Sequence, residues 1–390
     1  KDIIRSHQTM GDLWIDFGSA NYKDYTRKLN LDNATIESNY TVNGTRVQQT
    51  VFVSHPDEVL VIRYRADDNK GLNANISMSR PADAGHETAK TFTENGSLIM
   101  QGEITQYEGT FKGKKDSITS GVKFDTRLKI GHQGGSIKTG SNNIELKGVK
   151  EATIYLVCNT SYYDKDYVAK SKTQLNKVAA KTAAQLLTTH VADYKSLAER
   201  MQLHIEHENI NLPTDERLEL VKKGATDVGL EELLFEYGRY LLISSSRNTL
   251  PANLQGIWND KINAPWNADY HVNINLQMNY WPANVTNVDA VNMPLFDFID
   301  RLVENGKEAA QKNYGCSGSF IPHATDIWAT SFLRSKTAYW GGSFGAGGWL
   351  MQHYWNHYLF TQDEEFLRSR AFPAMQEVAK FFADWIIKDP

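Results

Sequence analysis

Residues 168–206 read VAKSKTQLNKVAAKTAAQLLTTHVADYKSLAERMQLHIE, with apolar side chains at Leu175, Val178, Ala179, Leu186, Leu187, Val191, Tyr194 and Leu197. Steps of three and four put these on one stripe of a helix, because an α-helix turns once in 3.6 residues. The chain has a different period on the N-terminal side of this stretch, so the segment divides the protein.

Upstream the period is two. Residues 41–66, TVNGTRVQQTVFVSHPDEVLVIRYRA, contain Asn43-Gly44 as a hairpin turn, then two apolar runs on either side of Ser54-His55-Pro56-Asp57. Further turn signals stand at Asn95-Gly96, Gly134-Gly135 and Gly140-Ser141-Asn142-Asn143, separated by GVKFDTRLKI, NNIELKGV and ATIYLVC. The expectation is an antiparallel β-domain over 1–160, built as a sandwich of two sheets. A helical linker follows over 161–212.

Downstream, over 213–390, the pattern is helical again. TDERLELVKKG begins with an acidic first turn, LEELLFEYGRYLLISSS is amphipathic, and NMPLFDFIDRLVENGKEAAQKNYG stops at Gly315. GGWLMQHYWNHYLFTQD and EFLRSRAFPAMQEVAKFFADWIIKD predict two more helices. Long consecutive helices joined by loops rich in aromatic and polar residues suggest helix pairs arranged round a centre, a partial (α/α)6 toroid. The fold class is thus α+β and multidomain, and the helices number about half of a full toroid, which suggests a piece of something longer.

Composition limits the partners. The 390 residues carry a net charge of −4, with 23% charged and 41% hydrophobic residues, as soluble globular proteins do. Nothing here would neutralise a run of phosphates, so no nucleic-acid partner is expected. No apolar run reaches the roughly 20 residues of a membrane span, and KDIIRSHQTM has no signal-peptide core. Two cysteines, Cys158 and Cys316, are too few for a disulfide framework or a cysteine zinc site.

Three segments could carry chemistry. In YHVNIN, an extended backbone would turn His271, Asn273 and Asn275 to one face and Val272 and Ile274 to the other. Such a row could hold sugar hydroxyls or a water molecule; a polar strand face bonded to neighbouring backbone is the plainer alternative. LPANLQGIWNDKINAPWNADY gathers Trp258, Trp266, Asp269 and several amides. Neutral sugars are recognised by aromatic faces and by planar amides and carboxylates, although tryptophans also serve as buried plugs. SFIPHATDIWATSFLRSKTAYWGGSFGAGGWL places His323, Asp326, Trp328 and Trp349 around glycines; Gly341-Gly342 and Gly347-Gly348 do not have the order of a phosphate loop.

A metal site is not expected. His353 and His357 stand at i and i+4 in HYWNH, but the glutamate of HExxH is missing. Nucleophile signatures such as GxSxG are absent as well. No cofactor is called for.

Together, LPANLQGIWND, PWNADYHVNINLQMNYWPANVTNV and GGWLMQHYWNHYLFTQDEEFL closely resemble glycoside hydrolase family 95, the inverting α-L-fucosidases, and MGDLWIDFG through SHPDEVLVIRYRA resembles that family's β-supersandwich domain. The resemblance implies a β-supersandwich, a helical linker and an (α/α)6 catalytic barrel, with the start of the first and the second half of the last outside these residues. It makes Asn273 and Asn275 the catalytic amides, the second holding the attacking water as its base. The carboxylate that polarises this amide and the general-acid glutamate are expected beyond Pro390. An inverting pair stands roughly 6.5–9.5 Å apart, which leaves room for the water.

The resemblance also places His271 beside the sugar's C5 substituent, where relatives preferring L-galactose have threonine, and so favours L-fucose. Trp258, Trp266, Asp269, Asp326 and Trp349 are the further candidate substrate contacts. Asn284 departs from the pattern, since many relatives have glutamate there. The partner implied is a fucosylated oligosaccharide or glycan, α-1,2-linked, met in a secreted or periplasmic setting. An α-L-galactosidase, a phosphorylase on a similar scaffold, and a non-catalytic carbohydrate-binding fragment are the competing readings.

Overall fold

The computed structural model describes residues 7–19, 21–67, 70–111, 114–118, 121–207, 210–333 and 343–386. They fall into two compact units. One comprises Gln8–Ser196 with Asp260–Ala264, the other His7, Leu197–Asn259 and the chain from Pro265 onward. The division lies inside the 161–212 segment read as a linker.

The first unit is antiparallel. Its strands are β1 (Asp12–Asp16), β2 (Tyr22–Asn30), β3 (Thr35–Val42), β4 (Thr45–Ser54), β5 (Val59–Ala66), β6 (Leu72–Ser79) and β7 (Ala89–Glu94). β8 (Ser97–Glu103), β9 (Gln106–Phe111), β10 (Lys114–Ile118), β11 (Lys123–Gln133), β12 (Ser136–Thr139), β13 (Asn143–Val149) and β14 (Glu151–Thr160) follow. A large sheet has the order β2-β3-β4-β5-β14-β11-β8-β7, and a smaller one β1-β6-β13-β12. Both contribute to one core: Tyr64, Leu98, Phe124, Leu128 and Ile154 from the large sheet meet Leu72, Ile76, Met78, Ile144 and Leu146 from the small. This is the expected sandwich. Asn43-Gly44 and Asn95-Gly96, each with both residues at positive φ, close the β3–β4 and β7–β8 hairpins.

The large sheet is also covered on its outer side. α1 (Tyr167–Ala179) and α2 (Ala183–Ala198) place Leu175, Val178 and Leu186 against Phe52, Val59, Val61, Tyr155 and Val157. β5 is therefore buried on both faces, Val59 and Val61 outward and Ile62 and Tyr64 inward, which accounts for its unbroken apolar run. Instead of one long helix, two helices break at Ala180–Thr182. Thr182 and Gln185 form a reciprocal capping box, the Thr182 N–H donating to Gln185 Oε1 (2.9 Å) and the Gln185 N–H to Thr182 Oγ1 (3.2 Å). The Lys181 ammonium, 2.6 Å from Asp57 Oδ1, fixes the break to the β4–β5 turn.

The second unit is helical: α3 (Thr214–Lys222), α4 (Val228–Ser245), α5 (Asn275–Val285), α6 (Asn292–Tyr314), α7 (Gly345–Thr361), α8 (Glu364–Phe366) and α9 (Phe372–Trp385). α4 is capped by Asp227, which accepts from the Leu230 N–H and from Arg217 through two bonds of 2.7 and 2.8 Å. α6 buries Leu295, Phe296, Phe298, Ile299, Leu302 and Val303 along one stripe and stops at Gly315, left-handed at φ 66°, as the sequence predicts. α5 packs against α4 and α7, and α9 against α6 and α7. Two short strands, β15 (Tyr270–His271) and β16 (Ala324–Thr325), pair antiparallel within this helical unit. Among the described residues no helix is long and apolar enough to cross a membrane.

Candidate active site

The segment expected to run extended through Asn275 takes a different course. The strand ends at His271, residues 272–274 form a turn, and Asn275 opens α5. Pairing with β16 accounts for the first part: the Val272 N–H donates to the His323 carbonyl, and Tyr270 stands opposite Thr325. The turn is then fixed from inside, since the fully buried Gln277 amide donates to the Val272 carbonyl from the first turn of α5. A strand–turn–helix junction replaces the period-two row. It leaves Asn273 and Asn275 exposed at the helix N-terminus and His271 half-buried beside them.

Asp269 lies behind the junction, 1% exposed. Its Oδ1 stands 3.0 Å from Nε2 of His271. The indole of Trp266 meets the same imidazole edge-on, with centroids 5.7 Å apart and ring planes at 81°. Trp266, Asn267 and Ala268 are three successive non-glycine residues in the left-handed region, at φ 54°, 59° and 43°. Each costs about 1–2 kcal/mol there, and such strain persists only where surrounding bonds over-determine it. Here the His7 N–H donates to the Asn267 carbonyl (2.8 Å) and the Asp269 N–H to that of Trp266 (3.3 Å). The conformation leaves Trp266 76% exposed, the most open tryptophan near the junction.

Loop 251–258 closes the other side. Asn253 and Gly256 bridge each other through both backbone N–H groups, and the Leu254 N–H donates to the Asp269 carbonyl (3.2 Å). Gly256 is at φ 64°, and a Cβ there would meet the Trp258 ring at 2.8 Å. Only glycine meets both conditions. Trp258 itself is about half exposed. The hydroxyl of buried Tyr280, on α5, accepts from the Ala252 N–H (2.9 Å) and pairs with Ser246 Oγ (2.6 Å), so α5, the end of α4 and the loop are bound together; burial raises its pKa. Asn279, one turn beyond Asn275, donates to the Asn253 carbonyl (3.3 Å) and so acts as a strut.

The remaining candidates occupy distinct places. Asp326 follows β16 directly; it is buried and accepts from the Trp328 N–H (2.9 Å), which makes it an Asx turn. Trp349 is half-buried on α7, one turn before His353, whose ring meets Tyr280 edge-on at 6.5 Å. His353 and His357 are both buried: the first packs on Tyr280, the second on Phe296 and Phe366, at 5.2 and 4.6 Å. Asn284, the departure from the family pattern, accepts from the Asn292 side chain (2.9 Å). Gly341-Gly342 lie outside the described residues. Reading the sequence alone does not single out Gln277, Tyr280 or His7, because an ordinary helical glutamine or tyrosine carries no signal of what it will bond.

A half-buried histidine backed by a carboxylate, two exposed amides at a helix start and open indoles beside them form a surface suited to a neutral polyhydroxylated ligand. A solved structure titled "Putative kojibiose phosphorylase from human microbiome" superposes with a TM-score of 0.63 at 12% identity, covering 98% of this chain and 50% of that one. The fold is therefore an N-terminal antiparallel β-sandwich followed by part of an (α/α)6 barrel. The profile of the glycosyl hydrolase family 95 catalytic domain matches residues 182–390, and that of the glycosyl hydrolase family 65 N-terminal domain matches 2–165. The chain belongs to glycosyl hydrolase family 95. Arabidopsis thaliana "Alpha-L-fucosidase 2" is 31% identical over 412 residues, which cover 98% of this chain and 48% of that protein. Aspergillus niger "Probable alpha-fucosidase A" is 28% identical over 407 residues, covering 98% and 49%. The chain spans about half the length of these relatives.

Proposed function

We propose that this chain is part of a glycoside hydrolase that releases terminal α-linked L-fucose, α-1,2-linked in the first instance, from oligosaccharides or glycans by inversion. The supporting observation is the exposure of Asn273 and Asn275 at the N-terminus of α5, in a chain 31% identical along 98% of its length to a protein named as an α-L-fucosidase. In this reading the Asn275 side-chain oxygen accepts a hydrogen bond from the attacking water and so aims the water's lone pair at the anomeric carbon, the water's proton passing through the amide to the carboxylate that polarises it, while Asn273 holds the same water or a sugar hydroxyl. The helix N-terminus adds a partial positive charge where hydroxide character develops. An amide is a weak base, so a carboxylate must polarise it, and an acid must protonate the leaving oxygen from the opposite face. His271, oriented by Asp269, faces the C5 substituent, and Trp258, Trp266 and Trp349 offer apolar faces to the glycan.

The test is NMR of the first product formed by the complete enzyme from a fucosyl-α-1,2-galactoside. β-L-Fucose appearing first supports single-displacement inversion. α-L-Fucose appearing first sinks it, and turnover that requires phosphate makes the enzyme a phosphorylase instead.

A further inference from the structure

The β-sandwich unit carries a concave site that the catalytic reading does not use. A cavity of about 600 Å³ opens on the outer face of the large sheet, beside the start of α1. Alternation along the strands builds it: β8 and β11 send Leu98, Met100, Phe124 and Leu128 into the core, and the intervening Gln101, Asp125 and Arg127 outward, next to Phe92 and Glu94 of β7. Lys165, Asp166 and Lys172, at and before the first turns of α1, line the other side.

The floor is organised without a ligand. Asp125, wholly buried, accepts from Arg127 Nε (2.7 Å) and Nη2 (3.1 Å) and from Gln101 Nε2 (2.6 Å). Arg127 is itself 6% exposed, and its remaining Nη1 faces Glu94 at 3.6 Å, beyond hydrogen-bond length. An ion pair of this kind is costly to bury unless every bond is made, so its side chains are held in place before any partner arrives. Lys165 and Lys172 form no ion pair with other described residues, and both are exposed.

Charge and shape together select the ligand. Three cations (Arg127, Lys165, Lys172) and two acids (Glu94, Asp166) line the pocket, and the buried Asp125 carboxylate beneath it is bonded to Arg127, so the charges nearly cancel and draw neither a polyanion nor a polycation. Interleaved donors and acceptors suit hydroxyl groups, each of which donates and accepts, and the Phe92 ring offers an apolar face for the C–H side of a sugar. The volume suits a small ligand. We propose that this pocket of the β-sandwich is a non-catalytic binding site for a neutral saccharide. The ligand class follows from the pocket's own groups and is independent of the role given to Asn273 and Asn275.

Calorimetric titration of the full chain with lactose, xylotriose and L-fucose tests this, since none of the three offers an α-fucosyl bond to cleave. Saturable binding of at least one is expected. Phe92→Ala should weaken it about fivefold or more, the loss a missing aromatic face produces. Glu94→Ala, at an exposed position, is the second variant should the first unfold. Asn275→Ala should leave this binding intact. The proposal is overturned if none of the three sugars binds, if Asn275→Ala removes the binding while Phe92→Ala and Glu94→Ala do not, or if trigalacturonate binds more tightly than the neutral probes. Loss of fucoside hydrolysis in Asn275→Ala with sugar binding retained would separate this pocket from the catalytic site.

Discussion

The buried Asp269 carboxylate stands 3.0 Å from Nε2 of His271, and a single residue, Val272, separates His271 from Asn273 on the exposed junction. A carboxylate packed behind a histidine limits the positions its ring can take and so bears on how the imidazole meets a ligand. Asp269→Asn preserves the shape and removes the charge. The expected outcome in the complete enzyme is a KM for an aryl α-L-fucoside raised by about tenfold with kcat changed less, because the substrate contact is loosened while the water site stays. A kcat that falls as far as kcat/KM, with KM unchanged, would assign Asp269 to the chemical step instead.

Asn275 and Asn273 separate by the same logic. Asn275→Ala should lower kcat by about 10²- to 10⁴-fold, the usual contribution of a positioned base, with little change in KM. Asn273→Ala should fall short of that loss. Steady-state kinetics on both variants decide the assignment, and equal losses would mean that the two amides act as one unit.

The strand and helix elements were legible in the sequence because each depended on a local rule. Asn43-Gly44 and Asn95-Gly96 sit in left-handed pairs that few other residues adopt, and Gly315 ends α6 for the same reason. The break at Ala180–Thr182 has a local signal as well, the Thr182-x-x-Gln185 capping box, which the Ala-rich period on either side masks. The junction at His271–Asn275 was not. Its course depends on β16, some fifty residues further on, and on the Gln277 amide bonding back to Val272, and no short-range pattern reports either. Alternation in YHVNIN was real, yet a helix that begins at its last residue overrides it.

Gly256 provides a structural test of the loop that carries Trp258. Its φ is 64°, and an added Cβ would meet the indole at 2.8 Å. Gly256→Ala is expected to cost about 1–2 kcal/mol from the left-handed backbone, and more if Trp258 cannot move aside. The readout is a lower Tm together with a shifted tryptophan emission as the half-exposed ring changes its surroundings. An unchanged spectrum at a lower Tm would mean that the strain is carried elsewhere in the loop.

Acid sensitivity should be centred on α7. Burial pushes the His353 imidazole down to about 4 from its ordinary 6.5, and burial lowers His357 as well. Above pH 6.5 neither the folded nor the unfolded chain protonates His353, so it contributes no pH dependence there. Between pH 6.5 and about 4 the unfolded chain binds a proton that the folded chain does not, and stability falls by up to about 1.4 kcal/mol per pH unit. His357 acts in the same direction. Because the His353 ring packs on Tyr280, whose hydroxyl anchors loop 251–258, the loss should reach the junction first. His353→Gln removes the titration at some cost in packing, so its Tm at pH 7 should be lower and its decline towards pH 5 shallower than the wild type's. Parallel Tm-against-pH curves for the two proteins would rule out His353 as the source of the acid sensitivity.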